Sequence, residues 1–286
     1  MSKVDISLFL SASRPKWWKR MYESLIGNEC KWEIVAVGPY PPLEEMPINF
    51  RYYKCDFKPT QCYAAASYLS RAELIGWTCD DAQYNAQSLD IIWKEYLFYK
   101  SMPITKWNEG KNIFTQRTIE NNVDVSQEHR FFRYCDDTPQ MAPMAFINRE
   151  WFFKIGGYDR NYVCGQAENS ICMESFNAGG KIININDSRV WINHEEVHGG
   201  FWNKVKYRFY KNSFRSGYFN DRRYLEETWI KEGFGTYNEK TLKHGTVSPV
   251  RLLPHQPYNY DNILTVPQGP QGRFLDLKEF YYKGQK

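Results

Sequence analysis

The chain has 286 residues, 42% of them hydrophobic, and a formal net charge of +4. This length suits one large α/β domain with an appendage, or two modest domains. No apolar run approaches the roughly 18 residues of a membrane span, and the apolar stretch near the start is too short for a signal peptide. We therefore expect a soluble globular protein.

The seven cysteines are an odd number and show no Cys-x-x-Cys spacing. This pattern favours free thiols in a reducing compartment over zinc ligands or disulfides. A cytoplasmic location follows as the expectation, either free or at the periphery of a membrane surface.

Charge is unevenly distributed along the chain. Residues 201–286 carry 15 Lys and Arg against 8 Asp and Glu, whereas residues 1–200 carry 22 against 25. Such asymmetry indicates that the two parts of the chain have different roles. We predict an α/β domain over residues 1–200 and a basic, aromatic extension over residues 201–286.

The first third alternates between strand and helix patterns. The predicted elements are strand Val4–Ser11, helix Lys16–Ile26, strands Trp32–Val37 and Phe50–Lys54, helix Gln61–Ser70 and strand Leu74–Cys79. This order is typical of a nucleotide-binding α/β half-domain. Ligands of such sheets bind beyond the carboxyl ends of the strands, where Arg14, Gly38 and Asp80-Asp81 fall.

Further along, the pattern predicts helix Gln87–Tyr99, a polar irregular stretch Ser101–Val125, strand Met144–Asn148, helices Arg149–Lys154 and Asn169–Ala178, and strands Lys181–Ile185 and Arg189–Asn193. The extension holds helix candidates Asn203–Phe214 and Asp221–Lys231. It also holds Val247–Gly272, whose five prolines predict an extended arm, wrapped on the surface or partly disordered.

Gly156 and Gly157 follow the short helix and precede an acid, Asp159. Glycine tolerates a positive φ and lets another group approach the main chain. Glu168 comes next, opening a helix near the positive end of its dipole. The segment is either the rim of a pocket or an ordinary helix cap followed by a loop acid.

Asp80 and Asp81 are adjacent carboxylates at a strand end, and they repel each other unless a positive group lies beside them. A Mg²⁺ or Mn²⁺ ion bridging to a phosphate would supply that charge, and His194 could complete the metal shell with Asp81. The alternatives are a capping acid at a helix N-terminus and a structural histidine.

Taken together, five segments resemble the family 2 glycosyltransferases with the GT-A fold. They are Arg14-Pro15, Gly38, Cys79-Asp80-Asp81, Ile155–Asp159 and Gly165–Asn169. The resemblance spans Val4 to His194 and implies that residues 1–200 are a GT-A-like, nucleotide-sugar-binding catalytic domain. It implies a Rossmann-like α/β fold, in which helices flank a mixed, mostly parallel sheet, followed by a helical or extended appendage.

The resemblance also implies roles for individual residues. Asp81 would contact Mn²⁺ or Mg²⁺, with His194 as a late metal ligand, and Asp80 would lie near the ribose or a metal-bound water. Arg14 and Gly38 would bind the donor.

In the second half, the resemblance places Gly156 and Gly157 in the wall of the donor-sugar and acceptor pocket. Glu168 would be the catalytic base. Two residues depart from the family pattern. In place of the Asp that usually follows the Glu, this chain has Asn169. An amide cannot take a proton, so the identity of the catalytic base and the stereochemical outcome stay open. Gly38-Pro39 replaces an acid that usually contacts the nucleoside, so the identity of the nucleobase stays open.

The predicted function is metal-dependent transfer of a hexose or pentose from a nucleotide sugar, first of all a UDP-sugar, to an acceptor hydroxyl. The acceptor would be a glycan, a lipid-linked molecule or another alcohol. One alternative is a catalytically silent relative that binds a sugar nucleotide or glycan. Another is a glycosyltransferase acting on nucleic acid, or at an anionic membrane, through the basic extension.

Overall fold

The computed structural model describes residues 3–104, 108–125, 142–192, 221–232 and 246–270. The strands are β1 (Ile6–Ser11), β2 (Trp32–Gly38), β3 (Phe50–Lys54), β4 (Leu74–Trp77), β5 (Gln83–Tyr84), β6 (Ile113–Glu120), β7 (Val123–Asp124), β8 (Ala145–Asn148), β9 (Ile182–Ile192), β10 (Ile230–Glu232) and β11 (Thr246–Val247). The α-helices are α1 (Trp18–Ser24), α2 (Pro59–Leu69), α3 (Ser88–Lys100), α4 (Arg149–Lys154) and α5 (Ala167–Asn177). Residues 221–229 are also helical.

One nine-stranded sheet forms the centre of the molecule, in the order β3-β2-β1-β4-β8-β6-β9-β5, with β7 beside β6. The pairs within β3-β2-β1-β4 are parallel, as is β6 with β9, whereas β8 runs antiparallel to both β4 and β6. The strands β1 to β4, β6 and β9 therefore end at the same edge of the sheet. This edge carries the predicted acidic pair.

Both faces of the sheet are covered, because alternate side chains of a strand point to opposite sides. Phe9 and Val35 belong to one core together with α2, α4 and α5. Leu8 and Ile34 belong to the other, together with α1 and α3. The unbroken apolar stretch of β2 is buried for this reason.

The predicted α/β order of the first third is confirmed, and two predictions further on are wrong. Residues 113–120, predicted as irregular, form β6 near the middle of the sheet. The two strands predicted over residues 181–193 are one strand, β9, whose pairing with β6 shifts register after Gln116.

The described part of the extension packs on the α/β domain. Trp229, Tyr258 and Ile263 are buried in the same core as Phe9. Residues 246–270 contain the short strand β11, a 3-10 helix at Tyr260–Asn262 and otherwise turns and irregular chain, so the predicted arm is not extended throughout. The helix candidate Asn203–Phe214 lies outside the described residues. No helix in the described ranges is long and apolar enough to cross a membrane.

Candidate functional site at the carboxyl edge of the sheet

The loops after β1 and β4 meet because these strands are parallel neighbours. Asp80 Oδ2 accepts hydrogen bonds from the backbone amides of Ser13 and Arg14, at 2.7 and 2.6 Å, and Oδ1 accepts from Arg14 Nε at 2.7 Å. The Arg14 Nη2 also contacts Asp80 Oδ1. Asp80 thus fixes both the main chain and the side chain of the loop that follows β1.

Asp81 holds the other end of the same guanidinium. Its two oxygens accept from Arg14 Nη1 and Nη2, each at 2.8 Å, in a bidentate ion pair. Burial by itself would lower the pKa of Arg14, but the charges of Asp80 and Asp81 outweigh it and raise that pKa above its ordinary value. The three side chains therefore form one charged cluster.

The metal implied by the resemblance does not fit the described part of this cluster. Every oxygen of Asp80 and Asp81 already accepts at least one hydrogen bond. Within the described ranges, no three His, Cys, Asp or Glu residues lie close enough together to hold a metal ion. His194, the other predicted ligand, lies outside the described residues, as do Asp136 and Asp137. The predicted role of His194 is therefore untested, while both oxygens of Asp81 are already bonded to Arg14.

Glu168 lies in the first turn of α5, as predicted. Burial raises the pKa of its carboxyl, and hydrogen bonds with its own backbone and that of Gln166 offset this only in part. Gln166 itself has a φ of 68°, the left-handed conformation that non-glycine residues seldom adopt. Such conformations concentrate at functional sites. Glu168 is thus a carboxyl group whose pKa lies nearer neutrality, as a general base requires.

Tyr63 lies near both acidic groups. Its hydroxyl donates to the Thr78 carbonyl at 2.8 Å, two residues before Asp80. Burial raises the pKa of Tyr63, and the charges of Asp80 and Glu168 both add to this rise. The ring of Tyr158, whose pKa is also raised by the charge of Glu168, lies 6.2 Å from that of Tyr63. The Arg14 cluster and Glu168 are therefore both close to one pair of aromatic rings.

Asn169 is buried beside Glu168. Its Nδ2 donates to Gln166 Oε1 at 2.7 Å, and its Oδ1 has no hydrogen-bond partner among the described residues. The side chain helps to hold the left-handed turn before α5. The Asn169 amide cannot accept a proton as a carboxylate would, as the sequence indicated.

The predicted glycines lie where main chain and side chains approach closely. Gly38 ends β2, and a Cβ there would overlap the Ala12 carbonyl. Gly156 and Gly157 have φ values of 99° and 67°, and a Cβ on Gly156 would lie 2.7 Å from the ring of His255. Their contribution to a donor pocket stays a prediction.

The extension supplies residues that sequence reasoning missed. Arg251 donates to Asp159 at 2.6 Å and to Glu174 at 3.0 Å. Asp159, which the sequence places beside the glycines, is therefore buried in an ion pair. The sequence around an isolated arginine in a proline-rich stretch does not predict which acid the arginine will contact.

Asp221 was also missed. Its carboxylate accepts hydrogen bonds from the backbone amides of Val163, Cys164 and Gly165, at 2.6 to 3.1 Å. These amides belong to the loop that leads to Glu168. Burial raises the pKa of Asp221 to about 6 in spite of these bonds. Asp221 anchors the loop from a segment more than 50 residues away.

Comparison with known proteins gives similarity of structure without similarity of sequence. No protein-family model and no curated protein sequence matches the chain. Staphylococcus aureus TarS is 10% identical over 66% of this chain and 37% of its own, with a TM-score of 0.50. Its 1–349 fragment has a TM-score of 0.49 at 10% identity, covering 68% of this chain and 61% of the fragment.

GalNAc-T7, crystallised with UDP, GalNAc and Mn²⁺, is 13% identical over 67% of this chain and 43% of its own, with a TM-score of 0.47. The chain thus spans about six-tenths or less of the length of each of these structures. At such identities the likeness concerns the fold. The mixed, mostly parallel sheet flanked by helices is the GT-A fold of nucleotide-sugar transferases.

Proposed function

We propose that the protein is a glycosyltransferase that moves a sugar from a nucleoside-diphosphate donor to an acceptor hydroxyl. The observation that carries the proposal is the proximity of Tyr63 to both acidic groups: its hydroxyl donates to the Thr78 carbonyl, two residues before Asp80, its ring lies 6.2 Å from that of Tyr158, and the charges of Asp80 and Glu168 both act on it. In open α/β sheets this carboxyl edge is where nucleotides bind. The GT-A fold is consistent with the same location.

In this proposal the donor diphosphate lies at the Arg14 end of the site, and the sugar lies towards Glu168. Glu168 takes the proton of the acceptor hydroxyl as that oxygen attacks the anomeric carbon, and the nucleoside diphosphate leaves. A general base of this kind contributes roughly 10²–10⁴-fold in rate. No metal takes part in the proposed reaction, although the resemblance implies one, because the oxygens of Asp80 and Asp81 already accept hydrogen bonds from Arg14 and Ser13.

The donor is proposed to be a UDP-hexose or UDP-pentose and the acceptor a glycan, a lipid-linked molecule or another alcohol. A thermal-shift panel of UDP, GDP, CDP and their sugars tests donor binding. A stabilising sugar nucleotide is then incubated with glycan and lipid acceptors, and release of the nucleoside diphosphate is measured. Absence of any stabilising nucleotide contradicts the proposal.

A second candidate is a catalytically silent protein that binds the sugar nucleotide without transferring the sugar. It is favoured by Asn169, a buried amide held by Gln166 where the family has an acid. Slow hydrolysis of the bound sugar nucleotide in the absence of acceptor separates the two candidates, since only an enzyme with a working base hydrolyses its donor. Of the basic extension that was expected to bind nucleic acid or a membrane, residues 201–286, the structure describes residues 221–232 and 246–270.

A further inference from the structure

The charge of the acidic pair is neutralised from within the chain. Arg14 reaches the pair from the neighbouring strand, with its Nε on Asp80 and both Nη atoms on Asp81. Two adjacent buried carboxylates require a positive partner. The guanidinium supplies one in the bidentate geometry that suits a carboxylate best.

The exposure of the three side chains is unequal. The Arg14 side chain is 23% exposed, whereas those of Asp80 and Asp81 are 1% and 0% exposed. A ligand arriving from solvent therefore meets the guanidinium, with the carboxylates behind it. A divalent cation would have to displace Arg14 before it could reach an oxygen of either acid.

Arg14 keeps capacity to bind an anion. A guanidinium has five N–H groups, two of them on Nη1. The Nη1 atom makes one hydrogen bond, to Asp81 Oδ2, so its second N–H remains to donate.

Two further cations lie on the segment after Arg14. Lys16 Nζ and Arg20 Cζ lie 5.0 and 4.2 Å from the ring centre of Trp17, whose amide donates to the Arg14 carbonyl at 3.0 Å. The charge of Glu120 also reaches this region, since it raises the pKa of the Cys79 thiol together with the charges of Asp80 and Asp81. The charges of the described residues are therefore about balanced here, and the remaining N–H of Arg14 supplies the directed contact for an anion.

Building on the proposed glycosyl transfer, we propose that this site recognises the donor diphosphate through Arg14 without a divalent cation. Asp80 and Asp81 position Arg14 in place of ligating a metal. The charge of the leaving diphosphate is then stabilised by a fixed guanidinium, which is held in place before the donor binds.

The first experiment titrates the full-length protein with Mn²⁺ alone and follows free Mn²⁺ by electron paramagnetic resonance. We expect no saturable binding to wild type. Arg14→Ala leaves two buried carboxylates side by side, so we expect this variant to gain a Mn²⁺ site and a Mn²⁺-dependent rise in Tm. Saturable binding to wild type that Asp81→Asn abolishes would overturn the proposal, and this arm does not depend on the folding of the Arg14 variant.

The second experiment measures UDP, GDP and CDP binding by calorimetry in EDTA and in Mn²⁺. We expect equal affinity in both buffers. We expect Arg14→Lys, which keeps the positive charge but loses the planar guanidinium and its paired N–H donors, to weaken nucleotide binding by about tenfold. Lys19→Ala is the matched control, since Lys19 lies on the same segment but pairs with Glu44 at the surface, and binding is unchanged.

Nucleotide binding that requires Mn²⁺ would overturn the inference and leave the proposed function standing. Absence of nucleotide binding in both buffers would instead contradict the proposed function. In that case the Mn²⁺ titration still decides whether Arg14 or a metal neutralises Asp80 and Asp81.

Discussion

Arg251 and Asp159 are 92 residues apart in the chain, and their side chains meet at 2.6 Å. The Asp159 side chain is 1% exposed and that of Arg251 13%. This pair ties the extension to the loop that follows Gly156 and Gly157. The segment that ends in Glu168 therefore depends on residues that lie outside the α/β domain in sequence.

Replacing Arg251 by Met should lower the free energy of unfolding by about 3–5 kcal/mol, because Asp159 is left as an unpaired buried charge. Arg223→Ala serves as the control, since Arg223 is 74% exposed and its ion-pair partner among the described residues is Glu227, one helical turn away. It should change stability by about 0.5 kcal/mol or less. Urea denaturation measures both, and equal effects would contradict a structural role for the Arg251 pair.

Asp221 should make stability depend on pH. Its pKa is about 6 in the folded protein against 3.8 ordinarily, so folding favours its protonated form. The stabilisation is full below pH 3.8 and is lost as pH rises through 6, by roughly 3 kcal/mol in total. The nearby ionisable groups Cys164, Lys58 and Glu168 are common to wild type and variant.

Denaturant unfolding of wild type and Asp221→Asn at pH 4, 5, 6 and 7 measures this effect. The difference in unfolding free energy between the two proteins should shift against wild type as pH rises. A difference that stays constant over this range would show that Asp221 keeps its ordinary pKa.

Glu168→Gln should lower kcat by roughly 10²–10⁴-fold while nucleotide affinity stays within about twofold, because an amide cannot accept the proton. Glu150→Gln is the control, as Glu150 is an exposed acid in the first turn of α4. In wild type, activity should rise with pH through a pKa above the 4.5 of an ordinary Glu. Full activity of Glu168→Gln would place the base elsewhere.

Gly156→Ala should destabilise the protein more than Gly179→Ala. Both glycines have positive φ, 99° and 89°, but only at Gly156 would the new Cβ meet a neighbour, the His255 ring. We expect about 1–2 kcal/mol for the backbone at each site and about 1–3 kcal/mol more at Gly156. Thermal unfolding measures the difference, and adding His255→Ala should remove it if the clash is the cause.

Local pattern was enough for much of the fold and for placing several candidate residues. The apolar stretches of β1, β2 and β4 predicted strands, and their order placed Arg14, Gly38 and Asp80 at one edge of the sheet. The sequence also indicated that the two glycines before Glu168, Gly156 and Gly157, could adopt a positive φ. These features depend on periodicity and backbone sterics, which act within a few residues.

Partnerships between distant residues were decided by tertiary structure alone. The polar pattern of residues 113–120 did not predict a strand, because β6 is held by β8 and β9, which come later in the chain. The sequence showed that Asp80 and Asp81 needed a positive neighbour and predicted a metal ion, whereas the folded chain places Arg14 there. Which charge reaches a buried carboxylate depends on which strands lie side by side, and only the folded sheet brings Arg14 there.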